Sequence, residues 1–74
     1  MNATKQKFAL ELTPEELYVV KRALSEASFR FWDAAQEARS EMRKARLEIL
    51  EKMCDDLFDR IPLEQVRKPK VLNH

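Results

Sequence analysis

The sequence contains no glycine, one cysteine and one histidine among its 74 residues. Without glycine, the chain lacks the residue on which phosphate-binding loops and dinucleotide-binding turns depend. One cysteine and one histidine exclude a disulfide framework and a metal site built within one chain. No apolar run approaches the ~20 residues of a membrane-spanning helix, and the amino end lacks a signal-peptide core. These absences predict a cytoplasmic protein without cofactor, metal or membrane partner.

The charges are nearly balanced and the chain is short. Lys and Arg together number 14 and Asp and Glu number 13, so the net charge is +1. This balance argues against a general polyanion binder, which usually carries a clear basic excess. At 8.8 kDa, the chain lies near the lower limit for closing its own core. We therefore expect one domain that completes its core by oligomerising.

Residues 1–12 are predicted to form a strand or an extended arm. Apolar and other residues alternate from Lys5 to Leu12, which is the period of a half-buried strand. No second strand pattern follows, so the strand would pair with the same strand of another copy. The alternative is an extended arm that packs on a helix. In both cases the apolar side carries Phe8, Leu10 and Leu12.

Residues 13–61 are predicted to be helical. Thr13, Pro14 and Glu16 form a helix-start signal, with a capping residue, a proline suited to the first helical position and a capping-box glutamate. No further proline or glycine occurs before Pro62. Apolar residues recur at steps of three or four throughout this region. They are Leu17, Val20, Leu24, Ala27, Phe31, Ala34, Ala38, Met42, Ala45, Ile49, Met53 and Leu57.

This region forms either one long helix or a helical hairpin. A continuous helix would span roughly 70 Å at ~1.5 Å per residue and could not bury its stripe on itself. The candidate break is the segment 29–33, where Asp33 and Gln36 form a second capping-box pattern. Ser25, Ser28 and Ser40 are weaker candidates for a bend. The stripe keeps its phase across all of them, which favours a continuous helix.

The apolar surface widens after Leu47, beyond what one neighbouring helix covers. We therefore predict an all-α fold assembled as a homo-oligomeric helical bundle, a dimer or higher. Pro62 ends the helix, and residues 62–74 form an extended basic tail. The predicted oligomer interface comprises Phe8, Leu10, Leu12, Leu17, Leu24, Phe31, Ile49, Leu50, Met53, Leu57 and Phe58.

Catalysis has little support in the sequence. His74 is the last residue, where chains tend to fray, and is a weak general base. Cys54 lies among apolar neighbours at helical spacing, which predicts a buried thiol rather than a nucleophile. No catalytic constellation is present, so we predict a protein that is not an enzyme.

The most informative polar feature is a row of arginines, Arg39, Arg43 and Arg46, which share one helical face. None has a carboxylate three or four positions away, and the same face continues through Gln36, Trp32 and Phe29. Three interpretations stay open. An acidic block on another helix neutralises the row, or the six residues bind a protein partner, or they bind an anionic ligand such as a nucleotide or nucleic acid. The acidic block consists of Glu51, Asp55, Asp56 and Asp59. Phe29 and Trp32 are alternatively predicted to have a structural role, in which they contact the core or another copy of the chain.

The segment from Lys7 to Leu17 resembles the start of ribbon-helix-helix repressors. In that family a short strand pairs across a dimer and enters the DNA major groove, and two helices follow. The resemblance implies that Lys5, Lys7 and Ala9 would face DNA. The chain is also similar in size and style to accessory proteins of phages and mobile elements, which block or remodel a larger host protein and in some cases sequester nucleotides.

The leading prediction is a non-enzymatic, self-associating binding protein that regulates or inhibits a macromolecular partner. The alternatives are a DNA-binding repressor and a protein that sequesters an anionic ligand.

Overall fold

The fold is an antiparallel pair of helices. The computed structural model describes residues 7–70. Helix α1 spans Pro14–Glu37, helix α2 spans Glu41–Arg60, and a short 3-10 turn follows at Leu63–Gln65. Every regular element in this part of the chain is helical, which confirms the predicted all-α class.

Helix α1 begins where the capping signal predicts. The Thr13 hydroxyl oxygen accepts a hydrogen bond of 3.1 Å from the Glu16 amide, and the Glu16 carboxylate accepts one of 2.9 Å from the Thr13 amide. Pro14 is the first helical residue. This reciprocal pair satisfies two backbone donors that the first turn otherwise leaves free.

Of the two predicted alternatives, the chain adopts the helical hairpin and not the favoured continuous helix, because it reverses at residues 38–40, next to the weaker candidate Ser40. Ala38 has φ −68° and ψ 133°, and Ser40 has φ −102° and ψ 135°, so both are extended. The Ser40 hydroxyl accepts a 3.3 Å hydrogen bond from the Arg43 amide and caps α2. No residue between 7 and 70 has a positive φ, so the reversal needs no glycine. The expected break at 29–33 is also wrong, since Asp33 lies inside α1.

The helices pack through a face of α2 that differs from the predicted stripe. Leu47, Cys54, Phe58 and Ile61 are buried or half-buried, and they recur at helical spacing. The stripe predicted for a continuous helix, which includes Met53, lies on another side. The reversal breaks the angular relation between the two halves, so regular spacing across it no longer defines one face.

The interior of the hairpin is thin. Of the described residues, only Ala35 and Cys54 are buried, at 1% and 9% exposure, and no large side chain is fully buried. Burial of Cys54 agrees with the sequence prediction. The radius of gyration is 15.2 Å, whereas a compact chain of this length has about 11 Å. Two helices therefore leave the core incomplete.

Lys21 closes the open end of the hairpin. Its ammonium donates hydrogen bonds to the carbonyl oxygens of Phe58, at 3.1 Å, and Ile61, at 2.7 Å. It also lies 4.0 Å from the centre of the Phe58 ring. A lysine on α1 thus satisfies carbonyl groups at the carboxyl end of α2, where positive charge is favoured.

The segments outside the helices contact α1 or remain exposed. The Arg67 amide donates a 3.1 Å hydrogen bond to the Pro14 carbonyl, so the tail returns to the start of α1. Residues 7–13 form neither helix nor strand, and Phe8 and Leu10 are 83% and 78% exposed. The strand that would pair with a second copy stays a prediction. Lys5 and His74 lie outside the described residues.

Candidate interaction surfaces

One side of the hairpin, here called the front, carries a hydrogen bond between the helices. The Ser28 hydroxyl on α1 donates to an Asp55 carboxylate oxygen on α2 at 2.6 Å. Beside it, the rings of Phe29 and Trp32 stack with centroids 6.1 Å apart and planes inclined by 28°. These groups border a groove of about 340 Å³, which we call the aromatic–acidic groove. Its lining residues are Ser25, Ser28, Phe29, Trp32, Glu51, Asp55 and Phe58.

The aromatic–acidic groove combines exposed rings with carboxylates that form no ion pair in the described part of the chain. Phe29 and Trp32 are 64% and 45% exposed. Within residues 7–70 the only ion pair joins Arg22 and Glu26 at 3.3 Å, so Glu51 and Asp55 form none there. Aromatic faces and carboxylates both attract cations. The groove is therefore suited to a positively charged side chain rather than to a phosphate.

The structure divides the set of residues predicted to bind a partner or an anion. Gln36 follows Trp32 by one turn of α1, and both are exposed. Arg39 lies in the reversal, whereas Arg43 and Arg46 lie on α2. The row was predicted on an uninterrupted helix, but α1 ends at Glu37, so spacing across residues 38–40 does not keep one face.

The acidic block does not neutralise the arginine row within one hairpin. Arg39, Arg43 and Arg46 are all exposed, and none forms an ion pair in the described chain. The physical reason is that Arg43 and Arg46 lie in the first half of α2, whereas the three aspartates of the block lie near its end. Arg46 and Asp55 are separated by roughly 13 Å along α2. Neutralisation by a second copy stays a prediction.

The opposite side of the hairpin, here called the back, is apolar. Met53 and Leu57 each lie two positions from Asp55, which on a helix places them away from the front. Residues at helical spacing extend this exposed strip along α2, and we call it the α2 apolar stripe. It comprises Met42, Ile49, Leu50, Met53 and Leu57, with exposures of 70%, 60%, 39%, 54% and 42%.

The predicted interface residues fall into two groups. Leu12, Leu17, Leu24, Phe31 and Phe58 are half-buried within the chain itself. The remaining members of the predicted set are exposed: Phe8, Leu10, Ile49, Leu50, Met53 and Leu57. Their contact with another copy stays a prediction.

A separate polar cluster occupies the outer side of α1. Arg22 donates 3.3 Å hydrogen bonds to the Tyr18 hydroxyl and to the Glu26 carboxylate. Both hydrogen bonds raise the pKa of the Arg22 guanidinium above its ordinary value, and the bond to Tyr18 has the larger effect. Arginine is already charged at all ordinary pH values. The cluster therefore contributes local order to α1, and its arginine keeps a constant charge.

No protein-family model, curated protein or solved structure matches this chain. Between residues 7 and 70, neither helix contains an apolar stretch long enough to cross a bilayer. Fold and surface chemistry therefore carry the functional argument.

Proposed function

We propose that this protein is a small, non-enzymatic and self-associating helical protein that regulates or inhibits a macromolecular partner, in the manner of phage or mobile-element accessory proteins. One observation carries the proposal. The hairpin leaves apolar side chains exposed on both sides, with the α2 apolar stripe on the back and the Phe29–Trp32 pair on the front.

The two sides differ in chemistry, which supports two different uses. Exposed apolar surface on a soluble protein marks contact sites, and the back carries aliphatic and thioether side chains typical of a helical bundle. The front carries an exposed tryptophan, a residue type enriched at the centres of protein interfaces. One further copy that covers the back leaves the front free for a partner.

The carboxylates of the groove favour a basic partner. Glu51 and Asp55 line the groove next to Trp32, and phosphate groups would be repelled there. An arginine or lysine of a partner protein would gain both carboxylate and ring contacts. The aromatic pair thus lies beside carboxylates and not beside the arginine row. This placement supports a protein partner over a nucleic acid at this surface.

The decisive experiment compares wild-type protein with a Trp32→Ala variant as baits in lysate of the host, with bound proteins identified by mass spectrometry. We expect the wild type to retain a partner that the variant loses, because removal of the indole takes away the largest exposed ring of the groove. Leu63→Ala is the matched control, since Leu63 is 72% exposed and lies outside the groove.

Light scattering and circular dichroism of each variant keep the outcomes separate. We expect Trp32→Ala to remain helical and oligomeric. Retention of the same partners by Trp32→Ala would contradict the proposed binding surface. Binding of nucleic acid that weakens steeply with salt would instead support the anionic-ligand alternative, because phosphate contacts release counterions.

DNA binding of the ribbon-helix-helix type is a second candidate, favoured by the order of elements. Residues 7–13, which form neither helix nor strand, precede two helices, and the two consecutive helices are the part of the arrangement that the resemblance implies. Lys5→Ala combined with Lys7→Ala discriminates between the candidates. This double variant should abolish DNA binding in the second candidate and leave partner capture through Trp32 unchanged in the first.

A further inference from the structure

The exposed surface is large enough to contain a missing interface. The chain exposes 6860 Å² at a mass of 8.8 kDa, whereas a compact monomer of that mass exposes about 4,800 Å². The excess is roughly 2,000 Å², and each partner in a standard interface buries only about 800 Å². Residues 7–13, which lie outside both helices, contribute part of this excess.

We propose that a second copy covers the back, with its α2 apolar stripe packed against α1 of the first copy across a two-fold axis parallel to the helices. The inference rests on the proposed self-association and adds its geometry. Four helices result, in which each α2 contacts its own α1 through Cys54 and Phe58 and the other copy's α1 through the stripe.

Side-chain size fits this arrangement. Ala27 and Ala34 lie two positions after Ser25 and Trp32, so they face the back, and both are only half-buried by their own α2. Small side chains at these positions allow another helix to approach α1 closely. The stripe, in contrast, presents large side chains such as Ile49 and Met53. Large residues of one helix packed against small residues of another produce the close contact that bundles require.

Charge fits the same arrangement at one specific pair. The hydrogen bond between Ser28 and Asp55 places these two residues at the same height along the helix pair. Nine residues from each toward the reversal are Glu37 on α1 and Arg46 on α2. Glu37 and Arg46 therefore also lie at the same height. Glu37 follows Ala34 by three positions and Arg46 precedes Ile49 by three, so each belongs to a row on the back. A two-fold axis parallel to the helices keeps these heights, and Glu37 of each copy faces Arg46 of the other.

Neither charge is paired within the part of the chain that the structure describes. Glu37 and Arg46 are exposed and form no ion pair within residues 7–70. Glu37 is the last residue of α1, and that turn contains no basic residue. A carboxylate is disfavoured at a helix carboxyl end, so its presence there is not explained by helix stability.

The test is charge reversal with complementation, measured by sedimentation of the full chain. Glu37→Arg alone and Arg46→Glu alone each place like charges together twice in the dimer, and we expect each to weaken dimerisation about tenfold. An equimolar mixture of the two variants restores attraction at both contacts. The double variant Glu37→Arg/Arg46→Glu does the same within one chain, and both should dimerise like the wild type.

Neither reversal is expected to destabilise its helix, since Glu37→Arg places a cation at the end of α1 and Arg46→Glu lies beyond the first turn of α2, where the helix dipole has little effect. A weakened dimer therefore cannot result from a destabilised helix. Glu48→Arg is the control, because Glu48 is exposed and lies away from the stripe. We expect it to dimerise normally.

Two outcomes overturn the proposed geometry: single reversals that leave dimerisation unchanged, or a mixture that fails to restore it. If the wild type still dimerises in either case, self-association stands and only the arrangement is wrong. A wild type that is monomeric at micromolar concentration overturns both this arrangement and the self-association on which it rests.

Discussion

At the scale of single residues, Lys21 is the contact that most specifically fixes the hairpin. A cation shared between two carbonyl oxygens and a ring depends on three groups being in place at once. Nothing in the spacing of the sequence identifies it, because its partners lie 37 and 40 positions away. Contacts of this kind follow from the path of the chain and are invisible to helical periodicity.

We expect Lys21→Met to destabilise the protein by about 1–3 kcal/mol. Methionine keeps an unbranched stem of similar length but removes both ammonium hydrogen bonds and the cation above the ring, and the Phe58 carbonyl keeps only its 3.2 Å bond from the Ile61 amide. Lys52→Met is the control, because Lys52 is exposed on α2 and has no such contacts among the described residues. Urea unfolding at one fixed protein concentration measures both. Equal stability of the two variants would show that the Lys21 contacts contribute nothing.

At the scale of elements, local signals were predictable and the reversal was not. Thr13, Pro14 and Glu16 act on their own neighbours, so their cap is readable from the sequence. The reversal at 38–40 contains neither proline nor glycine, and its only signal is Ser40, which is also tolerated inside a helix when its hydroxyl faces water. Because the apolar residues keep their helical spacing on both sides of the reversal, the sequence favours one continuous helix over the hairpin.

The candidate site was predictable only in part for the same reason. Trp32 and the arginine row were identified as unusual, but their placement on one surface assumed an unbroken helix. The structure instead puts Trp32 beside Asp55 and Glu51. A residue on one helix of a hairpin acquires neighbours from the other helix, and those neighbours depend on where the chain turns.

A proline substitution tests the position of that turn. Glu41 is the first residue of α2, and the preceding Ser40 has the extended backbone that a following proline requires. We therefore expect Glu41→Pro to retain the helical content of the wild type. Its melting temperature should change no more than for an ordinary surface substitution, which alters the free energy of unfolding by about 0.5 kcal/mol or less. In one continuous helix the same change would cost about 3 kcal/mol or more.

Glu48→Pro provides the contrast, since Glu48 is equally exposed but lies inside α2. We expect it to lose much of the helical signal in circular dichroism. If Glu41→Pro lost helix to the same extent, α2 would not begin at residue 41.

At the scale of the whole molecule, folding and association are expected to be one process. The described chain buries only Ala35 and Cys54, and isolated helix pairs of this size gain little stability from so thin a core. The apolar surface that would complete the core lies on the back, and a second copy that packs there would bury it. A front surface with rings and carboxylates can then remain open without exposing the core.

The melting temperature of the wild type should therefore rise with protein concentration. Association stabilises only the folded chain, so each increase in concentration shifts the equilibrium away from unfolded monomers. Calorimetry over a hundredfold range of concentration, with the helical signal followed in parallel, measures the shift. Met53→Asp places a charge in the α2 apolar stripe and should be poorly folded at every concentration. A wild-type melting temperature independent of concentration would show that the two-helix hairpin is stable alone, and the back would then require another explanation.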